Sequence, residues 1–264
     1  MRGVVNPNIR EQDVRKAPLL CHDCEQLFGT WEREFTLQAF PLIQDDNFKG
    51  FAYDAWLLKF AVSLSWRTLV LDRDAVVTDL PQFADPINET LERWRRFLLG
   101  LQQNPGGEHH LFVFAGIPTK VPPDLHEKFL HYMLRSIDAT EAVSERTIAV
   151  YVKMLRAFFY SPIVPASPSG WKNTRIHPGA GRLISPQVVA MKGFVDLLHS
   201  RVEEGFAKSI SDAQKEKITE AMLKNPERVI ASESAKVHLA SQRLIRKNEP
   251  RSSRAEATED EESL

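Results

Sequence analysis

The stretch from Phe51 to Leu71 constrains the fold more than any other feature. It is apolar nearly all round and holds Trp56, Leu57, Phe60, Leu64 and Trp66. A helix without a polar face has to lie inside a core, with other elements packed on several sides. It does not read as a membrane span, because Asp54, Lys59 and Arg67 interrupt it. Arg67 is expected to pair with a carboxylate, Asp54 or Asp72. The remainder of the 264 residues must supply the shell, and that length suffices for a sizeable core.

Several amphipathic segments qualify as that shell. Phe28, Trp31 and Phe35 recur at helical spacing between Glu25 and Phe40, with Pro41 as a stop signal. From Pro86 to Leu101, the residues Ile87, Leu91, Trp94, Leu98 and Leu101 lie on one side, with Glu92, Arg93 and Arg96 on the other. Asp85 stands there as a cap before a proline in the first turn. Gln187–Phe206, Ser211–Leu223 (capped by Ser211) and Ser232–Arg246 read as further helices. His110–Ala115 is a short apolar run that suits a strand. Phe129–Asp138 and Thr147–Ile163 are also read as strands, the second for its β-branched and aromatic content. Proline and glycine crowd the segment between Pro162 and Pro186, which predicts irregular structure. The expected fold is α+β, mainly helical with a small antiparallel central sheet.

Domain organisation follows from composition. Residues 1–16 read as a flexible basic arm, 17–247 as a single globular domain opening with a C-x-x-C knuckle, and 248–264 as a disordered acidic tail. A formal net charge of -1 provides no global attraction for nucleic acid or an acidic membrane. No membrane partner and a cytoplasmic location are expected.

The sharpest chemical signal is Cys21-His-Asp-Cys24, which contains the only two cysteines. Separated by two residues, they exclude a disulfide framework and suit half of a zinc site, because a tight turn brings two sulfurs to one ion. A tetrahedral site takes four ligands. The others would come from His22, from distant His109, His110 or His177, or from another chain. A redox pair at a helix N-terminus competes with zinc, but no strand precedes Cys21 to give the βαβ context of such sites. Two incidental cysteines in a connector are the third reading.

Pro18-Leu-Leu-Cys-His-Asp-Cys-Glu25 resembles the second zinc knuckle of HNH-type nuclease domains. It also resembles uncharacterised bacterial proteins in which such a knuckle, followed by a Trp-Glu helix (here Trp31-Glu32), opens a longer α+β region. The resemblance implies Cys21 and Cys24 as structural zinc ligands and carries over no catalytic residue. The family's upstream C-x-x-C and histidine have no counterpart in residues 1–20, and Glu25 stands where a histidine is usual. The expectation is a degenerate, non-catalytic zinc-knuckle protein with nucleic acid as a candidate partner. The alternatives are a metal-free interaction or scaffold protein, and a metal-dependent nuclease whose first half-site belongs upstream of Met1.

Two weaker constellations remain. Glu108-His109-His110 sits at a turn-to-strand junction, where a polar strand end is the plain reading and metal binding the sharper one. Trp171–Gly181 gathers Lys172, Arg175 and His177 among glycines and is the candidate ligand-contact loop, although its spacing matches no phosphate-binding fingerprint.

Overall fold

The computed structural model describes residues 18–116, 126, 128–167, 169–189, 193–207 and 212–248. The expected arm over 1–16 and the tail beyond Asn248 lie outside these, as does the expected Ser211 cap. Where the sequence reading draws one domain over 17–247, contacts divide the described residues into two compact units. One lies within 1–116 and 137–194, the other within 117–136 and 195–264.

The first unit is built around its longest helix. Its elements are α1 (His22–Glu34), a π-helical segment (Phe35–Ala39), α2 (Phe40–Ile43), β1 (Gly50–Tyr53), α3 (Ala55–Asp79), α4 (Ala84–Leu98), β2 (His110–Val113), β3 (Ile137–Val143), β4 (Ile148–Met154), β5 (Ala157–Val164) and β6 (Gly181–Ile184). Helix α3 packs against α1 and α4, and also against β4 and β5. Its three interrupting charges each have a local answer. Asp54 Oδ1 accepts from Ala55 N at 2.8 Å and caps the helix. Lys59 Nζ donates to Phe97 O and lies 3.9 Å from the Phe97 ring centroid. Arg67 Nη1 reaches Glu32 Oε1 at 2.8 Å. Its partner is therefore neither Asp54 nor Asp72 but a carboxylate one helix away.

The expectation of one small central sheet is overturned. There are two sheets, a two-stranded β1-β6 pair and a four-stranded sheet in the order β2-β5-β4-β3, all antiparallel. Strand alternation places Ile148, Val150, Val152, Ala157, Phe159, Ile163, Leu111 and Val113 in the same core cluster as α3. Strand β1 was hidden at the head of the apolar stretch, where Asp54 separates it from α3. Gly50 has φ +113°, and a Cβ there would lie 2.0 Å from Leu183 O on β6. Pro41 does not end the first helix. It lacks the N–H that an α-helical turn needs, and the chain passes it through the π-helical segment into α2.

The second unit is helical: α5 (Phe129–Arg135), α6 (Phe194–Ala207), α7 (Asp212–Lys224), α8 (Pro226–Ile230) and α9 (Glu233–Asn248). The strand expected over 129–138 is corrected here, because its first seven residues form α5, which packs on α9. No described helix is long and apolar enough to cross a membrane.

On the edge strand β3, Glu141 pairs with Val150 and so shares its face toward α3. Burial, and then the Asp72 carboxylate, push its pKa up to about 7. The folded carboxyl therefore holds its proton to a higher pH than the unfolded one, and stability falls as pH rises from about 4.5 to about 7. Glu141→Gln should flatten that fall, gaining stability over the parent at pH 8 but not at pH 4; superimposable urea midpoints at both pH values would show a solvated carboxylate. Gly50→Ala should lower unfolding free energy by about 2 kcal/mol or more through its strained φ and clash. Gly29→Ala, in α1 with nothing within 4 Å, should raise it by about 0.5–1 kcal/mol, read from the same urea midpoints.

Candidate metal centre and the Trp171–His177 loop

Cys21 is the N-cap of α1, with extended backbone at φ -75° and ψ 165°. Helix N-termini leave backbone N–H groups without intrahelical partners. The Cys21 pKa is held below the usual thiol value, first by its neighbour Cys24. The Cys24 thiol is raised, first by its hydrogen bond to Cys21 and then by burial. The two sulfurs are thus side by side. Both thiols are free, Cys21 exposed and Cys24 half-buried.

The aromatic stripe of α1 fixes the knuckle. Phe28 is buried 5.2 Å from Trp31 and 6.5 Å from Trp66 of α3, measured between ring centroids. Beside the thiols lies a groove of about 150 Å³ lined by Leu19, Leu20, Phe28, Trp66, Leu98 and Leu99, with Arg95 among them. Among the described residues, no group of three or more His, Cys, Asp and Glu side chains is placed to hold a metal. His22, His109, His110 and His177 therefore do not complete a site with Cys21 and Cys24. The residues present fit two corners of a tetrahedral zinc and leave two open.

His109 and His110 have separate, structural surroundings. The His109 Nδ1 lies 2.8 Å from Ser161 Oγ, which is 2.8 Å from Ser65 Oγ of α3, and its ring packs on Trp94. Burial, followed by the neighbouring His110, lowers its pKa to about 3. His110 Nδ1 lies 3.0 Å from Thr174 Oγ1, and its ring packs on Trp171. Burial, followed by Arg175, lowers its pKa to about 4. The His110 imidazole is neutral at pH 7, so its 3.4 Å approach to Glu108 is no ion pair.

The candidate ligand loop is clamped to the sheet edge. Leu111 N donates to Thr174 O at 2.7 Å and Ile176 N to His109 O at 2.8 Å, which lays this segment antiparallel along β2. Gln187 Nε2 donates to Leu111 O and Asn173 O, while its Oε1 accepts from Val113 N. Arg175 is engaged by Glu108 at 2.8 Å. Lys172 and His177 are exposed, and the His177 N–H donates to Tyr53 Oη at 3.0 Å. Sequence reasoning missed Thr174 and Gln187, whose partners come with the pairing along β2.

A larger concavity of about 460 Å³ lies between Phe35, Thr36, Phe40, Phe60, Leu64 and Met154, with the Arg67–Glu32 ion pair in its wall. Thr174→Val keeps side-chain shape but leaves the buried His110 Nδ1 unpaired, so it should lower stability by about 1–3 kcal/mol in urea unfolding. Lys172→Ala, on the same loop but exposed, should stay within about 0.5 kcal/mol of the parent. No family model, curated protein or solved structure matches this chain.

Proposed function

We propose that this is a zinc-knuckle protein in which the Cys21 and Cys24 thiolates bind one metal ion in a structural role. The observation that carries the reading is the pair of free thiols at the start of α1, Cys21 as its N-cap and Cys24 in its first turn. A helix N-terminus favours negative charge, so it supports the thiolate form that zinc requires. Binding would release one proton from each thiol and tie the first turn of α1 to the residues entering it. The role proposed is structural, as the likeness of Pro18–Glu25 to the second zinc knuckle of HNH-type domains implies. In that respect the site is close to the degenerate HNH-type knuckle its sequence resembles.

Elemental analysis of the purified full chain tests this. Between half and one zinc per chain is expected, lost together with several degrees of thermal stability on chelation. Cobalt(II) substitution should give thiolate charge-transfer absorption that disappears in Cys21→Ser and Cys24→Ser. No bound metal, with Cys21→Ser as stable as the parent, would return the cysteines to an incidental role.

A further inference from the structure

We infer that the concavity between the π-helical segment, α3 and the end of β4 is a binding site for a small uncharged molecule with an apolar body and one hydroxyl or amide head. This is independent of the metal reading. The concavity measures about 460 Å³, within the range of small-molecule sites, and Phe35, Phe40, Phe60, Leu64 and Met154 line it. Its wall contains an uncommon turn. The Phe40 N–H donates to Phe35 O, five residues back, across the π-helical segment. In an α-helix, residues five apart point about 140° away from each other around the axis. The wider turn puts both rings on one wall, Phe35 stacked on Phe60 at 4.4 Å and Phe40 edge-on to Phe35 at 6.2 Å. Single π-helical turns are rare within helices and recur at functional sites.

The polar groups of the wall select the head. Among the described residues, Arg67 Nη1 reaches Glu32 Oε1 at 2.8 Å, Nε donates to Ser63 O at 3.2 Å and Nη2 donates to Ser63 Oγ at 3.4 Å. The two charges are matched within the wall, and neither is left over to recruit an ion of opposite sign. A carboxylate ligand would meet the Glu32 charge, and an ammonium ligand the Arg67 charge, while giving up its own hydration. An uncharged hydroxyl or amide avoids both costs. It accepts from the guanidinium and donates to the carboxylate with the ion pair intact. The aromatic and thioether lining offers dispersion contact to the apolar body and makes no polar demand on it.

The full chain is to be titrated at pH 7 with 1-octanol, octanoate and octylamine, probes with one body and three charges, by calorimetry and by NMR of isotope-labelled methionine methyls. The expected result is that 1-octanol binds once per chain and moves the Met154 methyl resonance, with octanoate and octylamine at least about tenfold weaker. Thr36 is an exposed lining position, where a large side chain would fill the concavity. Thr36→Trp should therefore abolish octanol binding with helix content unchanged by circular dichroism. Glu32→Gln leaves the Arg67 charge unmatched and should reverse the preference toward octanoate. Equal affinity for the three probes, or shifts confined to methionines other than Met154, overturns the proposal. So does a chain that binds none of them, including one that self-associates through this face and loses the dimer in Thr36→Trp.

Discussion

Burial of α3 between layers of unlike kind organises the first unit. Leu57, Val62 and Leu69 have no exposed surface, and residues of α1, α4 and the four-stranded sheet close around them. Each such side chain contributes about 1.5–3 kcal/mol on removal from water. A helix buried this deeply also takes polar atoms inside, and these need partners. Ser63 donates to Phe60 O, and Ser65 donates to Ala61 O while meeting Ser161 of β5. His109 extends that chain from the other side. The Ser65–Ser161–His109 line therefore ties helix, central strand and the approach to β2 through the core, where burial keeps His109 neutral.

How much of this was legible depended on whether a local signal had a local cause. The core helix, the amphipathic α4 and the strands of 148–164 carry their period or composition within themselves. Strand β1 did not, because its four residues merge with the apolar run that follows and only Asp54 divides them. Over 129–138 a single window averaged two elements. Residues 129–135 contain leucine, methionine and arginine but no β-branched residue, which suits α5, and the chain turns extended only at Ser136. The two-stranded sheet was invisible for a different reason. Gly50–Tyr53 and Gly181–Ile184 are far apart in sequence, and nothing local announces their pairing.

The same distinction governs the sites. Cys21 and Cys24 could be found because one turn holds both. The dipeptide His109-His110 looks like one site in sequence, but adjacent residues of a strand point to opposite faces. One ring faces Ser161 and Trp94, the other Thr174 and Trp171, and so the two share neither partner nor task. Lys172, Arg175 and His177 looked like a polar cluster because the sequence omits what occupies them. Glu108 holds Arg175, and the backbone around His177 is fixed by Tyr53.

Helix α1 links the two concave features of the first unit. Its first turn carries the thiols, its second carries Phe28 against Trp66, and its last carries Glu32, whose ion pair with Arg67 forms part of the wall of the larger concavity. The π-helical segment follows at once and supplies Phe35, stacked at 4.4 Å on Phe60 in the same wall. A half-exposed ion pair contributes little by itself, about 1 kcal/mol or less. Its position is set by the packing on either side of it, Phe28 against Trp66 and Phe35 against Phe60, whereas at the N-terminus of α1 four N–H groups lack helical partners and fraying begins. A ligand on Cys21 and Cys24 would act at that weak end. The apolar concavity is thus shaped by aromatic packing that begins in α1 and runs on into the π-helical segment.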